Sequence, residues 1–180
     1  MKIQFVRPDL HQIDRMSADT FAVCLFEEDK PPRGLAGLLD WRLCGRLSDL
    51  LVQEQVTGRF REALLLPGYE RVPTHRVCVY GLGARSEFTA ARAREASWFI
   101  ADSLHKLRAT SFIGSLPGSP STAVAPRARM ELFLEELLRV YGHDESVGGV
   151  DAYIVEPSEL HRELTDVVSI AMRKLRVIWK

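Results

Sequence analysis

VCVYGLGARSEFTAARAREASWFIA, Val77 to Ala101, passes from an apolar, β-branched run through Gly81-Leu82-Gly83 into a pattern with helical spacing. A strand, a turn and a helix in that order form the repeating unit of an α/β domain, because the helix covers a face of the sheet that its strand joins. The same order is also the setting in which backbone amides and a helix N-terminus receive a phosphate. Gly81, Gly83 and Ser86 are therefore candidates for binding an anion, against the plainer reading that the glycines only supply conformational freedom at a turn. A dinucleotide fingerprint asks for more, namely a third small residue and an acid about 20 residues on, at the end of the next strand. Ser86 alone fills the small position, Asp102 falls inside the helical pattern, and the next strand runs from Ser111 to Ile113 into Gly114-Ser115 without an acid. A P-loop pattern, Gly-x-x-x-x-Gly-Lys-Ser/Thr, occurs nowhere in the chain.

Outward from this unit the alternation continues. Lys2–Val6 and Thr20–Phe26 are short β-branched or aromatic runs separated by a polar stretch containing Pro8, and they are read as two strands that could pair antiparallel at one edge. Past Pro31, Pro32 and Gly34, the leucines 35, 38, 39, 43, 47, 50 and 51 fall on one helical face, which predicts a single helix over Leu35–Gln53. Ala63–Leu66 and Arg76–Tyr80 are apolar runs too short for helices and are expected to be strands covered on both faces. A second helix is marked by Phe88, Ala96, Phe99, Ile100, Leu104 and Leu107. After the turn-rich SLPGSPSTAVAP comes a third, with Pro126 in its first turn and Met130, Phe133, Leu134, Leu137, Leu138 and Tyr141 on one stripe. Asp151–Val155 is a last strand, and Leu160, Leu164, Val167, Val168, Ala171 and Leu175 mark a last helix. No internal repeat or long linker divides the chain, so one domain over residues 1–180 is expected: a three-layer α/β/α sandwich with a mixed, mostly parallel sheet.

Composition narrows the chemistry. Lys plus Arg and Asp plus Glu balance at 24 each, so no global field draws the chain to nucleic acid or an anionic membrane. The local exception is the tail, where Arg173, Lys174, Arg176 and Lys180 suit a helix C-terminus. Cys24, Cys44 and Cys78 are odd in number, lack Cys-x-x-Cys spacing and sit among apolar neighbours, as buried reduced thiols of a cytoplasmic protein would. No segment approaches the roughly 20 apolar residues that cross a bilayer, and MKIQFVRPDLHQ has no apolar run of signal-peptide length, so neither secretion nor membrane insertion is expected.

Other chemistries find no constellation. Ser115 and Ser119 lie at a strand end without Gly-x-Ser-x-Gly and without an evident histidine partner. His143-Asp144-Glu145, and His161 with Glu163, lack the paired spacing of a metal site. Trp41, Trp98 and Trp179 lie in or beside helical patterns with charged neighbours, as amphipathic packing requires, and no aromatic run interleaves with basic residues as in a single-strand binder. No catalytic residue, metal ligand or cofactor is assigned.

Two stretches taken together, GLAGLLDWRLCGRLSDLLVQEQVTGRFREALLLP and HRVCVYGLGARSEFTAARAREASWFIADSLHKL, resemble the N-terminal domain of the leucine aminopeptidase family. The features that carry the resemblance are Gly34 before a helix bearing Leu39-Asp40, Gly58-Arg59-Phe60 leading into Leu64-Leu65-Leu66-Pro67, and Val79-Tyr80-Gly81-Leu82-Gly83 before an amphipathic helix. It is close from about residue 18 to 115 and continues in element order to about residue 155. One departure is that Phe60 reaches Ala63 through Arg61-Glu62 alone, where the family has a longer glycine-containing turn, so the entry to that strand must differ.

The resemblance implies a macro-domain-like fold in which the Gly-Leu-Gly turn belongs to an accessory domain. It also implies that the family's metal-binding and catalytic residues lie in a C-terminal domain with no counterpart in these 180 residues, so none is carried over. The expectation is a non-catalytic chain, and Met1 with the tail RKLRVIWK leads us to expect that it stands alone. As the family enzymes are hexamers, a protein-interaction or regulatory module associating with itself or with a full-length aminopeptidase is expected. The alternatives are a nucleotide- or ADP-ribose-like ligand, a fragment of a metal-dependent aminopeptidase, or DNA bound through Arg92, Arg94, Arg173 and Arg176, which zero net charge argues against.

Overall fold

The computed structural model describes residues 1–142 and 149–178, with side chains to residue 173. The strands are β1 (Ile3–Val6), β2 (Thr20–Leu25), β3 (Ala63–Pro67), β4 (Arg76–Gly81), β5 (Ser111–Gly114) and β6 (Asp151–Val155). They form one sheet in the order β1-β6-β5-β2-β4-β3. The helices are α1 (Leu10–Ile13), α2 (Gly34–Arg42), α3 (Arg46–Val52), α4 (Ala90–Lys106), α5 (Pro126–Tyr141) and α6 (His161–Ile178). The sheet is mixed and mostly parallel, as expected, but its antiparallel pair is β3 with β4. The antiparallel pairing open to β1 and β2 does not form: β6 and β5 stand between them, and β1 pairs β6 in parallel.

Period-two alternation assigns each strand's side chains to two layers. Phe21, Val23 and Leu25 of β2 face a core completed by Leu39, Leu47, Leu50 and Leu51 of α2 and α3. Ala22 packs on the other face with Ile100 and Leu104 of α4, Phe133 and Leu137 of α5, and Leu164 of α6. A third cluster of Phe26, Leu82, Phe88, Ala96 and Val124 seals one end of the sheet.

Five other expectations change in detail. The helix over Leu35–Gln53 is two helices, because Cys44 (φ 55°) and Gly45 (φ 82°) turn the chain left-handed between them. Asp40 stabilises the break by accepting the Leu47 and Ser48 amides at 2.7 and 3.1 Å, which caps α3 from the preceding helix. That break also turns Cys44 outward, so of the three free cysteines it is exposed and not buried. β3 is an edge strand, with Ala63, Leu65 and Pro67 exposed, so it is not covered on both faces. Phe88 lies before α4, which starts after Thr89, and a helical turn at Leu10–Ile13 occupies part of the stretch read as polar connection. Leu175 falls outside the described side chains.

Candidate functional site

The Gly81–Gly83 turn is held closed by the protein itself. The Gly81, Leu82 and Gly83 amides donate to the carbonyls of Glu62, Leu25 and Gly58, each at 2.8 Å. Beyond these three, the Arg85 amide donates to the Glu28 carboxylate at 3.0 and 3.2 Å. A Cβ at Gly81 would stand 1.9 Å from the Arg59 carbonyl oxygen, so glycine is required there for close approach of the segment 57–62. Gly58 is itself pressed on Phe26, since a Cβ there would lie 2.6 Å from the Phe26 carbonyl oxygen. The Glu62 carboxylate completes the joint by accepting the Thr57 and Gly58 amides at 2.8 and 2.7 Å. Arg61, at φ 65°, makes the short entry turn into β3 that the sequence required. The turn is followed by a short 3-10 segment, Arg85–Glu87, on which Ser86 is exposed, and α4 begins only after its own Thr89 cap.

The open space lies beside that turn. Because β1, β6, β5, β2 and β4 run parallel, their carboxyl ends gather at one end of the sheet, the usual place for a ligand crevice in such folds. A cleft of about 380 Å³ opens there, lined in part by Pro8 after β1, Phe26 after β2, Leu82 after β4, Ser115 after β5 and Glu156 after β6. That volume suits a small molecule.

Two arginines of the cleft have opposite circumstances. Arg85 is fully engaged: it pairs with the buried Asp29 carboxylate at 2.5 Å and donates to the Ser119 and Ser121 hydroxyls at 2.6 and 3.0 Å. Its guanidinium carbon also lies 4.2 Å from the Phe26 ring centroid, so it straps the turn after β4 to the loop after β5. Arg129, in the first turn of α5, is 1% exposed, and its Nε and Nη2 have no partner. Burial holds its pKa below the ordinary arginine value. Glu156, 5% exposed, accepts the Leu116 amide at 3.1 Å; burial pushes its carboxyl up, against the opposing pull of Arg129. Cys24 lines the same cleft, and burial pushes its thiol up to about 12, so it is a thiol and not a nucleophilic thiolate at neutral pH.

The structure thus brings Ser115, Ser119 and Cys24 to one cleft but, among the described residues, gives the serines no histidine base: Ser119 is bound to Arg85, and the His161 ring meets the Glu156 carbonyl oxygen at 2.7 Å. Asp102 lies in α4 and pairs with Lys106 at 2.7 Å. Arg92 lies over the Phe60 ring and Arg94 pairs with Glu135 and Glu136, which occupies two of the cations considered for DNA. Arg173 is exposed, whereas Lys174, Arg176, Trp179, Lys180 and the His143-Asp144-Glu145 group lie outside the described side chains. Sequence reasoning missed Arg129 and Glu156. Glu156 had a signal, an acid directly after a strand, whereas Arg129 reads as the polar neighbour of the Met130 stripe.

Among known proteins, residues 22–139 match the family described as "Cytosol aminopeptidase family, N-terminal domain". A probable cytosol aminopeptidase of Geobacter sp. (strain M21) is 31% identical over 105 residues, 58% of this chain and 21% of that protein. The alignment therefore spans about a fifth of the length of that relative. Among solved structures, a mutant of tomato leucine aminopeptidase superposes over 93% of this chain and 35% of its own, with a TM-score of 0.63 at 16% identity. A Trypanosoma brucei macrodomain in complex with ADP superposes over 92% of this chain and 67% of its own, with a TM-score of 0.71 at 13% identity. These two likenesses are of fold, and they agree with a macro-domain-like sandwich.

Proposed function

The chain belongs to the cytosol aminopeptidase family through its N-terminal domain, and from that premise we propose that it is a non-catalytic cytoplasmic module that acts by binding a small nucleotide-like ligand. The observation that carries the reading is the cleft at the carboxyl ends of the parallel strands, with a buried arginine on its wall whose Nε and Nη2 have no hydrogen-bond partner. The T. brucei macrodomain of the same fold is described in complex with ADP, which supplies the ligand class to test. Two-metal peptide hydrolysis needs several anionic ligands around ions about 3.5–4 Å apart. Among the described residues, no group of three or more His, Cys, Asp or Glu side chains is placed to hold a metal ion. Calorimetry with ADP and ADP-ribose is expected to give saturable heat, and leucine anilides with added zinc or manganese no turnover. Absence of heat at millimolar ligand, or metal-dependent turnover that follows the protein through purification, overturns the reading.

A second reading, association with another copy or with a full-length aminopeptidase, is favoured by β3. Among the described residues this strand pairs on one side only, leaving a free edge with Leu65 51% exposed and Tyr69, just beyond it, 48% exposed. Light scattering of the chain alone and mixed with an aminopeptidase tests it, and a monomer in both conditions counts against it.

A further inference from the structure

We propose that the amino end of α2 and the Arg129 guanidinium form a phosphoryl cradle in this cleft, so that the ligand is held by its phosphate groups and not by its base. The inference deepens the ligand-binding reading and rests on it. Two independent observations meet at one place. Arg33, Gly34, Leu35 and Ala36, the cap and first turn of α2, line the cleft. A helix leaves its first amides without intrahelical acceptors, yet Arg33 at the cap supplies no side-chain acceptor and the first turn holds no acid. The amino end of this nine-residue helix therefore presents donors and a positive dipole end to the cleft.

On the same cleft, Arg129 is buried with Nε and Nη2 unanswered. Two buried guanidinium nitrogens left without hydrogen bonds are costly even with the Glu156 charge nearby, and a bidentate phosphate is the acceptor whose geometry a guanidinium fork matches. The charges around it permit an anion. Arg85 cancels Asp29, which leaves Glu156 as the opposing acid of the lining, and Glu156 already accepts the Leu116 amide. A Cβ at Gly118 would stand 2.9 Å from the Arg129 Cδ, so the loop after β5 lies directly on the arginine stem.

The test is calorimetry with inorganic pyrophosphate, ADP, adenosine and succinate on the wild-type chain, Arg129→Met and Arg129→Lys, with thermal unfolding of each protein alone. Pyrophosphate and ADP are expected to bind and adenosine and succinate to give no heat. Arg129→Met is expected to lose about 10- to 100-fold in affinity for ADP, as removal of a hydrogen-bonded charge does, with Arg129→Lys recovering part of it and neither variant unfolding earlier. If adenosine binds as tightly as ADP, or Arg129→Met binds ADP undiminished, the cradle is wrong while the cleft remains a ligand site. If none of the four molecules binds, both readings fall.

Discussion

The turn at Gly81–Gly83 and the cleft wall at Arg129 lie at the same end of one sheet, yet their polar groups are treated in opposite ways. At the turn the Gly81, Leu82 and Gly83 amides all meet protein acceptors and the Glu28 carboxylate already occupies the Arg85 amide. At the cleft a buried guanidinium has two nitrogens with no partner. The difference teaches that a glycine pattern in a nucleotide-like setting reports how closely two backbones approach, whereas a binding site reports itself through what folding leaves unsatisfied. The two regions are joined by Arg85, which begins at the turn and ends on Ser119 and Ser121 beside the cleft.

The largest effect should come from filling the turn. Gly81→Ala places a Cβ 1.9 Å from the Arg59 carbonyl oxygen and against the Gly58–Arg59 backbone, so about 3 kcal/mol or more of stability should be lost in urea denaturation. A loss under 1 kcal/mol would mean that the segment 57–62 moves freely off the turn and that the turn is available to an anion after all. Glu62→Ala removes the acceptor of the Thr57 and Gly58 amides, and it should cost about 2 kcal/mol. ADP binding should be unchanged by it when measured below the unfolding transition.

How much of this was legible follows the same division. The alternation of strands and helices was readable because Phe21, Val23 and Leu25 against Ala22, and the Met130–Tyr141 stripe, bury in the layers that their periods dictate. The break at Cys44-Gly45 was not, because Leu39, Leu43, Leu47 and Leu50 keep helical spacing across it and all end buried. Nor was the exposure of β3, since Ala63-Leu64-Leu65-Leu66 reads alike for a buried strand and for an edge awaiting a partner. Arg129 was hidden for a related reason: on an amphipathic helix a charged residue next to the apolar stripe is read as facing water, and only tertiary packing of the loop after β5 over α5 places it inside.

Arg85→Ala tests the strap between the two regions and should have a smaller effect. It removes a partly exposed ion pair and a ring contact, and Asp29 keeps the Phe26 amide as a partner, so about 1–2 kcal/mol is expected. Its cleft-side signature should be a faster release of ADP with little change in the unfolding curve's steepness, since the Ser119–Ser121 segment loses its anchor while the core is untouched.

The smallest expected change in stability belongs to the most deeply buried of these side chains. Arg129 is 1% exposed, and deleting a buried, well-packed side chain ordinarily destabilises a domain. Methionine, however, retains a comparable flexible apolar stem and removes a desolvated charge with two unanswered nitrogens. Glu156, left without its countercharge, keeps the Leu116 amide and can take up a proton, since burial already pushes its carboxyl up. The stability of Arg129→Met should therefore lie within about 1 kcal/mol of the wild type, or above it. A loss of about 3 kcal/mol would instead mark Arg129 as a structural cation with a partner in solution, and would make the cleft as self-satisfied as the glycine turn beside it.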